Sequence, residues 1–220
     1  MEKRTKRNGI GRLEAFSDAV LAIVLTLLVL ELLPVGAQSP AQLLDKWPSY
    51  LAYLAAFLTI GITWLNHNEQ MSRVYRTTPV VLLLNLGVLL GSSLVPWPTA
   101  LISEALKEGD YADQFAAMIV FASVGVIISV TWIALDLYLV AHPELLNTPE
   151  DAVWMRRHAL YSTGTLTISV ISVGLAVFSP LAALVSYLVV AAAFLLARLH
   201  ERTSPDTVDG ETADDTAADG

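Results

Sequence analysis

The chain has 220 residues, of which 55% are apolar and 15% carry a charge. Because soluble domains average about 25% charged residues, this composition argues against a soluble globular enzyme. The chain contains no cysteine, which excludes disulfides, a thiolate nucleophile and a cysteine-ligated metal. The net charge is −8, and we expect no nucleic-acid partner.

Six apolar stretches dominate the sequence. A membrane-spanning helix needs about 20 apolar residues to cross a hydrocarbon core of about 30 Å, and these stretches meet or approach that length. We therefore predict an all-α membrane protein with six transmembrane helices. The predicted spans are residues 15–33, 48–68, 79–102, 114–140, 159–178 and 181–199. Together they form a transmembrane domain over residues 15–202, preceded by a basic N-terminus over residues 1–14.

The end of the chain has a different composition. Residues 203–220 contain six acidic residues and no basic residue. Because this segment lacks the apolar area needed to offset the entropy of ordering, we expect a disordered acidic cytoplasmic tail. Such a tail either keeps the chain soluble or binds a partner.

Basic residues indicate the orientation. Eleven of the thirteen lysines and arginines fall on the side that holds both termini, and only Lys46 and Lys107 fall on the other. Since basic residues resist translocation, both termini should be cytoplasmic, in a prokaryotic plasma membrane. The basic start and apolar run of the first span also fit a second interpretation, a signal peptide cleaved after Ala37.

Polar residues from four spans fall at the depth of the cytoplasmic leaflet. They are Asp18, His67, Asn68, Asn85 and Asp136. Arg12, Ser17 and Trp64 are close enough in sequence to join them. Since a charged group in hydrocarbon costs about 2.5–3.5 kcal/mol, we interpret this set as a hydrogen-bonded clamp that fixes the first helix. Snorkelling interfacial residues and a proton pathway are the alternatives.

Patterns typical of enzymes and metal sites are absent from the sequence. The four histidines contain no i, i+4 pair that would favour metal binding, and neither a glycine-rich phosphate loop nor a nucleophile elbow is found. We expect no enzymatic activity, no metal site and no cofactor. Gly87 and Gly91 form a small-residue pair in the third span, which favours close helix packing over ligand binding.

The first span carries an aliphatic stripe. Ile23, Leu27 and Leu30 have i, i+4, i+7 spacing, which places them on one helical face with Thr26 beside them. Any apolar helix shows such a stripe, facing either lipid or a neighbouring helix. The spacing alone therefore assigns no function.

The residues around this stripe are more distinctive. Arg12-x3-Phe16-Ser17-Asp18, followed by Ala22-Ile23 and Thr26-Leu27-Leu28, resembles the FSD signature of the transmembrane protein 175 family of potassium channels. In the second span, Trp64-x2-His67-Asn68 is similar to the tryptophan and histidine region of that family.

The resemblance implies a cation channel that favours potassium over sodium and is lined by its first helix. In this resemblance Ile23, Leu27 and Leu30 form an apolar constriction that acts as a gate, with Thr26 as a polar layer of the pore. The residues implied to anchor the pore helix are Arg12, Phe16, Ser17, Asp18, Trp64, His67 and Asn68.

The resemblance also implies an assembly. Family members with two six-helix repeats form dimers, and this chain has a single FSD motif, so a homotetramer around a central pore is implied, in contact with lipid and potassium ions. The sequence lacks a Thr-Val-Gly-Tyr-Gly filter, so selectivity should be modest and cannot use that carbonyl mechanism. A secondary transporter or proton-coupled carrier is the principal alternative, and a noncatalytic membrane scaffold is the third.

Overall fold

A computed structural model describes residues 2–32 and 39–203 of the chain, with side chains over residues 9–30, 32 and 39–196. The described residues form helices and no named strand. The helices are α1 (Glu2–Leu27), α2 (Pro40–Leu44), α3 (Trp47–Ser72), α4 (Pro79–Leu94), α5 (Pro96–Glu108), α6 (Tyr111–Ala141), α7 (Pro149–Ala176) and α8 (Pro180–Thr203). Short 3-10 segments follow α1 at Leu28–Leu32 and α6 at Pro143–Leu145.

Five segments of the described chain are long and apolar enough to cross a membrane. They are Gly9–Leu30, Trp47–Ser72, Pro79–Glu108, Tyr111–Ala141 and Pro149–Ala176. A sixth apolar helix, Pro180–Leu196, is shorter. These helices match the six predicted spans in order, and the prediction of an all-α membrane fold is confirmed.

The largest differences between the helices and the predicted spans occur at three places. α1 begins at Glu2, so no break separates residues 2–14 from the first span. The third span is divided between α4 and α5 before Pro96, whose ring removes a backbone donor and crowds the preceding turn. α7 begins at Pro149, because Thr148 and Asp151 form a capping box there.

Two predictions concern residues that the structure does not describe. The disordered acidic tail is predicted for residues 203–220, of which Thr203 ends α8 and residues 204–220 are the part concerned here. The alternative cleavage site of a signal peptide falls within residues 33–38. Both lie outside the described residues.

α6 is the central helix of the bundle and packs against α4, α5, α7 and α8. Its contact with α4 is close because Gly87 and Gly91 lie at the contact. A Cβ atom at Gly87 would lie 2.9 Å from Thr131 Cγ2, and one at Gly91 would lie 2.7 Å from Ile128 Cγ1. The predicted role of these glycines in helix packing is therefore confirmed.

α1 lies at the edge of the bundle and contacts α3 and α4. Its inward face is fully or almost fully buried. This face consists of Leu13, Ser17, Leu21, Val24 and Leu28. The opposite face of α1 is uncovered in the single chain, which leaves it available for a contact outside that chain.

Candidate functional site

The uncovered face of α1 carries the predicted stripe. Ile23, Leu27 and Leu30 are 57%, 44% and 53% exposed, and Thr26 is exposed beside them. Just over two turns of an otherwise packed helix therefore present side chains that are largely uncovered in the single chain. The packed inward face fixes the direction in which this stripe points.

The α-helix ends at Leu27 and continues as a 3-10 segment over Leu28–Leu32. In 3-10 geometry the side chains three residues apart lie directly above each other. Leu30 therefore stays in line with Leu27 although the helix type changes. The stripe keeps a single direction along its whole length.

Thr26 is the polar member of this face. Its hydroxyl donates a hydrogen bond of 2.8 Å to the carbonyl oxygen of Ile23. Because the proton is used within the helix, the remaining lone pairs of Oγ1 are free to accept a hydrogen bond or to face a cation.

The inward face of α1 is held by a hydrogen-bonded chain across three helices. Asn85 of α4 donates from Nδ2 to Ser17 Oγ at 3.0 Å, and its Oδ1 lies 2.7 Å from His67 Nε2 of α3. All three side chains are fully buried. Because the amide oxygen of Asn85 can only accept, Nε2 of His67 carries the proton.

A second bond fixes the adjacent residue of α1. Trp64 donates from Nε1 to Asp18 Oδ1 at 3.0 Å. Trp64 lies one turn before His67 on α3, so α3 is joined to Asp18 directly and to Ser17 through Asn85. The structure thus brings together four of the seven anchoring residues that the resemblance implies, Ser17, Asp18, Trp64 and His67. Asn85, which the depth of the polar residues predicts for the clamp, joins them.

Three predicted anchoring residues lie outside this network. Arg12, Phe16 and Asn68 are exposed in the single chain, and none makes a hydrogen bond to the network residues. Phe16, at 52% exposed, is on the same side of α1 as the stripe. Their predicted participation in the clamp is not seen within one chain.

Asp136, which the sequence analysis places in the clamp of α1, belongs instead to a separate buried cluster. Its Oδ1 accepts from Gln70 Nε2 at 2.6 Å, and its Oδ2 lies 2.7 Å from His158 Nδ1. Trp132 lies between this cluster and the Ser17-Asn85-His67 chain, because its ring makes edge contacts with both His67 and His158. Sequence reasoning missed Gln70 and His158 because they fall just outside the predicted spans.

A third group of contacts closes the end of α3 against α7. Arg73 binds Glu69 at 3.2 Å and Asp151 at 3.0 Å, and its guanidinium lies 4.5 Å from the Trp154 ring centre. The Trp154 indole in turn donates to Glu69 at 3.1 Å. The Asp151 carboxylate also caps α7, so this group joins two helix ends.

The described residues contain no group of three or more histidine, aspartate or glutamate side chains that would hold a metal ion. Asp136 has amide and imidazole partners rather than other carboxylates. The hydrogen bonds of Asp136 connect α6 to Gln70 of α3 and to His158 of α7.

Comparison with known proteins assigns this arrangement to a family. A potassium channel of Streptomyces collinus is 41% identical over 165 residues, which cover 71% of this chain and 79% of that protein. The chain belongs to the TMEM175 family. The family model, described as the endosomal/lysosomal potassium channel TMEM175, matches residues 12–96, the part of the chain that contains the stripe and the Ser17-Asn85-His67 chain.

Two further proteins show how far the similarity of this TMEM175-family chain extends. The crystal structure of a lysosomal potassium-selective channel TMEM175 homologue from Chamaesiphon minutus has a TM-score of 0.71 at 29% identity, and covers 86% of this chain and 98% of that one. The endosomal/lysosomal proton channel TMEM175 of Homo sapiens is 34% identical over 86 residues, which cover 34% of this chain and 17% of that protein. The helical fold is therefore shared with a solved channel over 86% of this chain.

Proposed function

We propose that this TMEM175-family protein is a potassium-conducting channel whose α1 helices line the pore of a homotetramer. The observation that carries the proposal is the two-sided character of α1. One side is fixed by buried hydrogen bonds to α3 and α4, and the other presents Ile23, Thr26, Leu27 and Leu30 without a partner in the chain.

The aliphatic members of the stripe suit a gate. Around a narrow axis, rings of Ile23, Leu27 and Leu30 would disfavour water, and an ion stripped of its hydration would find no replacement ligands there. Thr26 adds a ring of hydroxyl oxygens between the aliphatic rings. Opening then requires a tilt or rotation of α1 that widens the rings.

The buried contacts of α1 define where such a motion pivots. Ser17 and Asp18 are bonded to α4 and α3, whereas the stripe begins more than a turn later along α1. His67, Asn85 and Asp136 each lie within six residues of the helix ends at Ser72, Pro79 and Ala141. Polar residues at one level, bonded sideways between helices, support a structural clamp over a proton path through the membrane.

The proposed orientation of the chain in the membrane follows from the distribution of its basic residues. The basic residues favour an orientation with both termini in the cytoplasm, in a plasma membrane of a prokaryote. Potassium is the permeant ion, and the protein has no enzymatic activity of its own.

Replacement of Ile23 by asparagine tests the pore assignment. Ile23→Asn should hydrate the constriction and raise potassium flux at least several-fold in liposomes containing the purified protein, measured under potassium and sodium gradients. Ile171→Asn is the matched control, because Ile171 of α7 is 55% exposed and lies away from α1. Unchanged flux in Ile23→Asn, or an equal rise in both variants, would contradict the assignment.

Single-channel recording separates the channel from the carrier. A channel passes discrete unitary currents, whereas a carrier exchanges ions slowly and saturates. We expect unitary currents with a preference for potassium over sodium. Saturable exchange without unitary events would replace the proposal by a transporter.

A further inference from the structure

A cavity of about 310 Å³ lies between α3, α6, α7 and α8. Its wall is largely aliphatic and aromatic, with rings from Trp132, Tyr161, Tyr187 and Phe194. No residue of α1 lines it, so it is separate from the proposed pore. Apolar cavities of about this size with a few convergent polar groups are the usual form of a small-molecule site.

Most polar groups of this wall are already bonded. The hydroxyls of Ser129 and Thr165 lie 3.0 Å apart, and the Tyr187 hydroxyl lies 3.1 Å from Ser172 Oγ. Thr59 and Thr63 donate to carbonyl oxygens of their own helix. Because these hydroxyls already have hydrogen-bond partners within the protein, they are not needed to bind a ligand.

Two buried polar groups of the wall are exceptions. Nδ1 of His158 is bonded to Asp136, whereas Nε2 has no hydrogen-bond partner among the described residues, and the imidazole lines the cavity. Ser162, one turn later on α7, lines the same cavity. Its carbonyl oxygen accepts from Thr165, and its hydroxyl has no hydrogen-bond partner among the described residues. The two residues are only 4% and 6% exposed, so their free atoms meet the cavity rather than bulk water.

The chemistry of this pair is complementary. The Nδ1–H group of the neutral His158 imidazole donates a hydrogen bond to the Asp136 carboxylate, which leaves Nε2 as a hydrogen-bond acceptor. The Ser162 hydroxyl can donate. A hydroxyl group satisfies both at once, since it donates to Nε2 and accepts from Ser162. A carboxylate cannot donate to Nε2, and Asp136 behind the imidazole opposes an anion.

We propose that this cavity binds a neutral aryl alcohol dissolved in the membrane, with its hydroxyl between His158 Nε2 and Ser162 Oγ. The surrounding rings favour an aromatic body through edge and offset contacts. An engineered apolar cavity of about 150 Å³ accommodates one benzene ring, so this cavity has room for two rings. The site does not depend on ion conduction for its chemistry.

The test measures binding of two brominated probes to the purified full-length protein in nanodiscs. One is a para-bromo biphenyl with a hydroxyl at its other end, and the second has a methyl group in place of that hydroxyl. Bromine quenches tryptophan fluorescence, and Trp132 lies in the cavity wall. We expect saturable quenching by the hydroxyl probe and about tenfold weaker binding of the methyl probe, because both polar groups then remain unpaired.

Two variants connect the signal to the cavity. Ser162→Ala should lower the affinity for the hydroxyl probe several-fold and leave the affinity for the methyl probe unchanged. Gly164 lines the cavity, and a Cβ atom there would meet nothing within 4 Å, so Gly164→Phe should fill the space and abolish saturable binding. Gly174→Phe is the matched control, because Gly174 of the same helix is equally open but lies outside the cavity.

Several results would overturn the proposal. They are equal affinity for the two probes, quenching that never saturates, and retention of binding in Gly164→Phe. Native mass spectrometry adds a further arm. A phospholipid that remains bound to the protein and is lost only in Gly164→Phe would show that the cavity holds an acyl chain instead.

Discussion

Asn85 is the residue on which the position of α1 depends most directly. Its amide bonds Ser17 on one side and His67 on the other, and all three side chains are fully buried. Asn85→Leu keeps a similar volume but leaves two buried polar groups without a partner. We expect the free energy of unfolding to fall by about 2–3 kcal/mol, measured by thermal unfolding of the purified protein in detergent.

Ser92 of the same helix provides the control for this experiment. It is equally buried, but its hydroxyl bonds only the Val88 carbonyl of its own turn. Ser92→Ala should therefore cost less than about 1 kcal/mol. An equal loss of stability in the two variants would show that Asn85 has no special role in holding α1.

The sequence was informative about the α1 clamp and less so about the Asp136 cluster. Asp18, His67 and Asn85 are predicted from their polar side chains inside apolar segments, where they need partners. Ser17 and Trp64 are predicted because they lie near these residues in sequence and match the family resemblance. Gln70 and His158 lie beyond the predicted span ends, where polar residues are ordinary. Only the structure shows that both side chains are buried and bonded to Asp136 of α6.

At the scale of helices, the contact between α4 and α6 depends on the absence of a side chain at Gly91. A Cβ atom there would approach Ile128 Cγ1 to 2.7 Å, so the two helices would have to separate. Gly91→Ala should lower the free energy of unfolding by about 1–3 kcal/mol. The loss is measurable as a lower midpoint of thermal unfolding in detergent.

At Gly61 of α3 we expect the opposite effect of alanine on the free energy of unfolding. A Cβ atom at this position would meet nothing within 4 Å, and alanine favours a helix over glycine by about 1 kcal/mol. Gly61→Ala should therefore be neutral or stabilising. If both alanine variants shift the midpoint in the same direction, close packing of α4 on α6 is not the controlling factor.

Hydropathy predicts the number and order of the spanning helices. The positions of the helix ends depend on capping residues and prolines, which hydropathy does not register. The apolar stretch of the fifth span begins near residue 159, but α7 begins at Pro149 because Thr148 and Asp151 cap it. The same capping pattern was present in the sequence and would have extended the predicted helix. Pro96 likewise marks the boundary between α4 and α5. Hydropathy averaged over a long window does not detect this break.

At the scale of the whole molecule, the exposed stripe of α1 is an apolar surface that no other part of the described chain covers. Buried bonds to α3 and α4 prevent the helix from turning this stripe inward, so only lipid or another copy of the chain can cover it. Composition and spacing could not distinguish these two cases, because lipid-facing and pore-facing aliphatic residues have the same period. The distinction therefore depends on a measurement between chains.

The absence of cysteine from the sequence allows a clean measurement of that kind. Ile23→Cys places one thiol per chain on the stripe, and in a homotetramer with α1 at the axis these thiols approach one another. A disulfide requires Cα atoms about 4.4–6.8 Å apart, so mild oxidation in membranes should yield covalent dimers that reduction returns to single chains. Ile171→Cys, similarly exposed on α7, should remain a single chain. If Ile23→Cys forms no dimer, or if both variants crosslink equally, α1 does not meet its copies at a common axis and the stripe faces lipid.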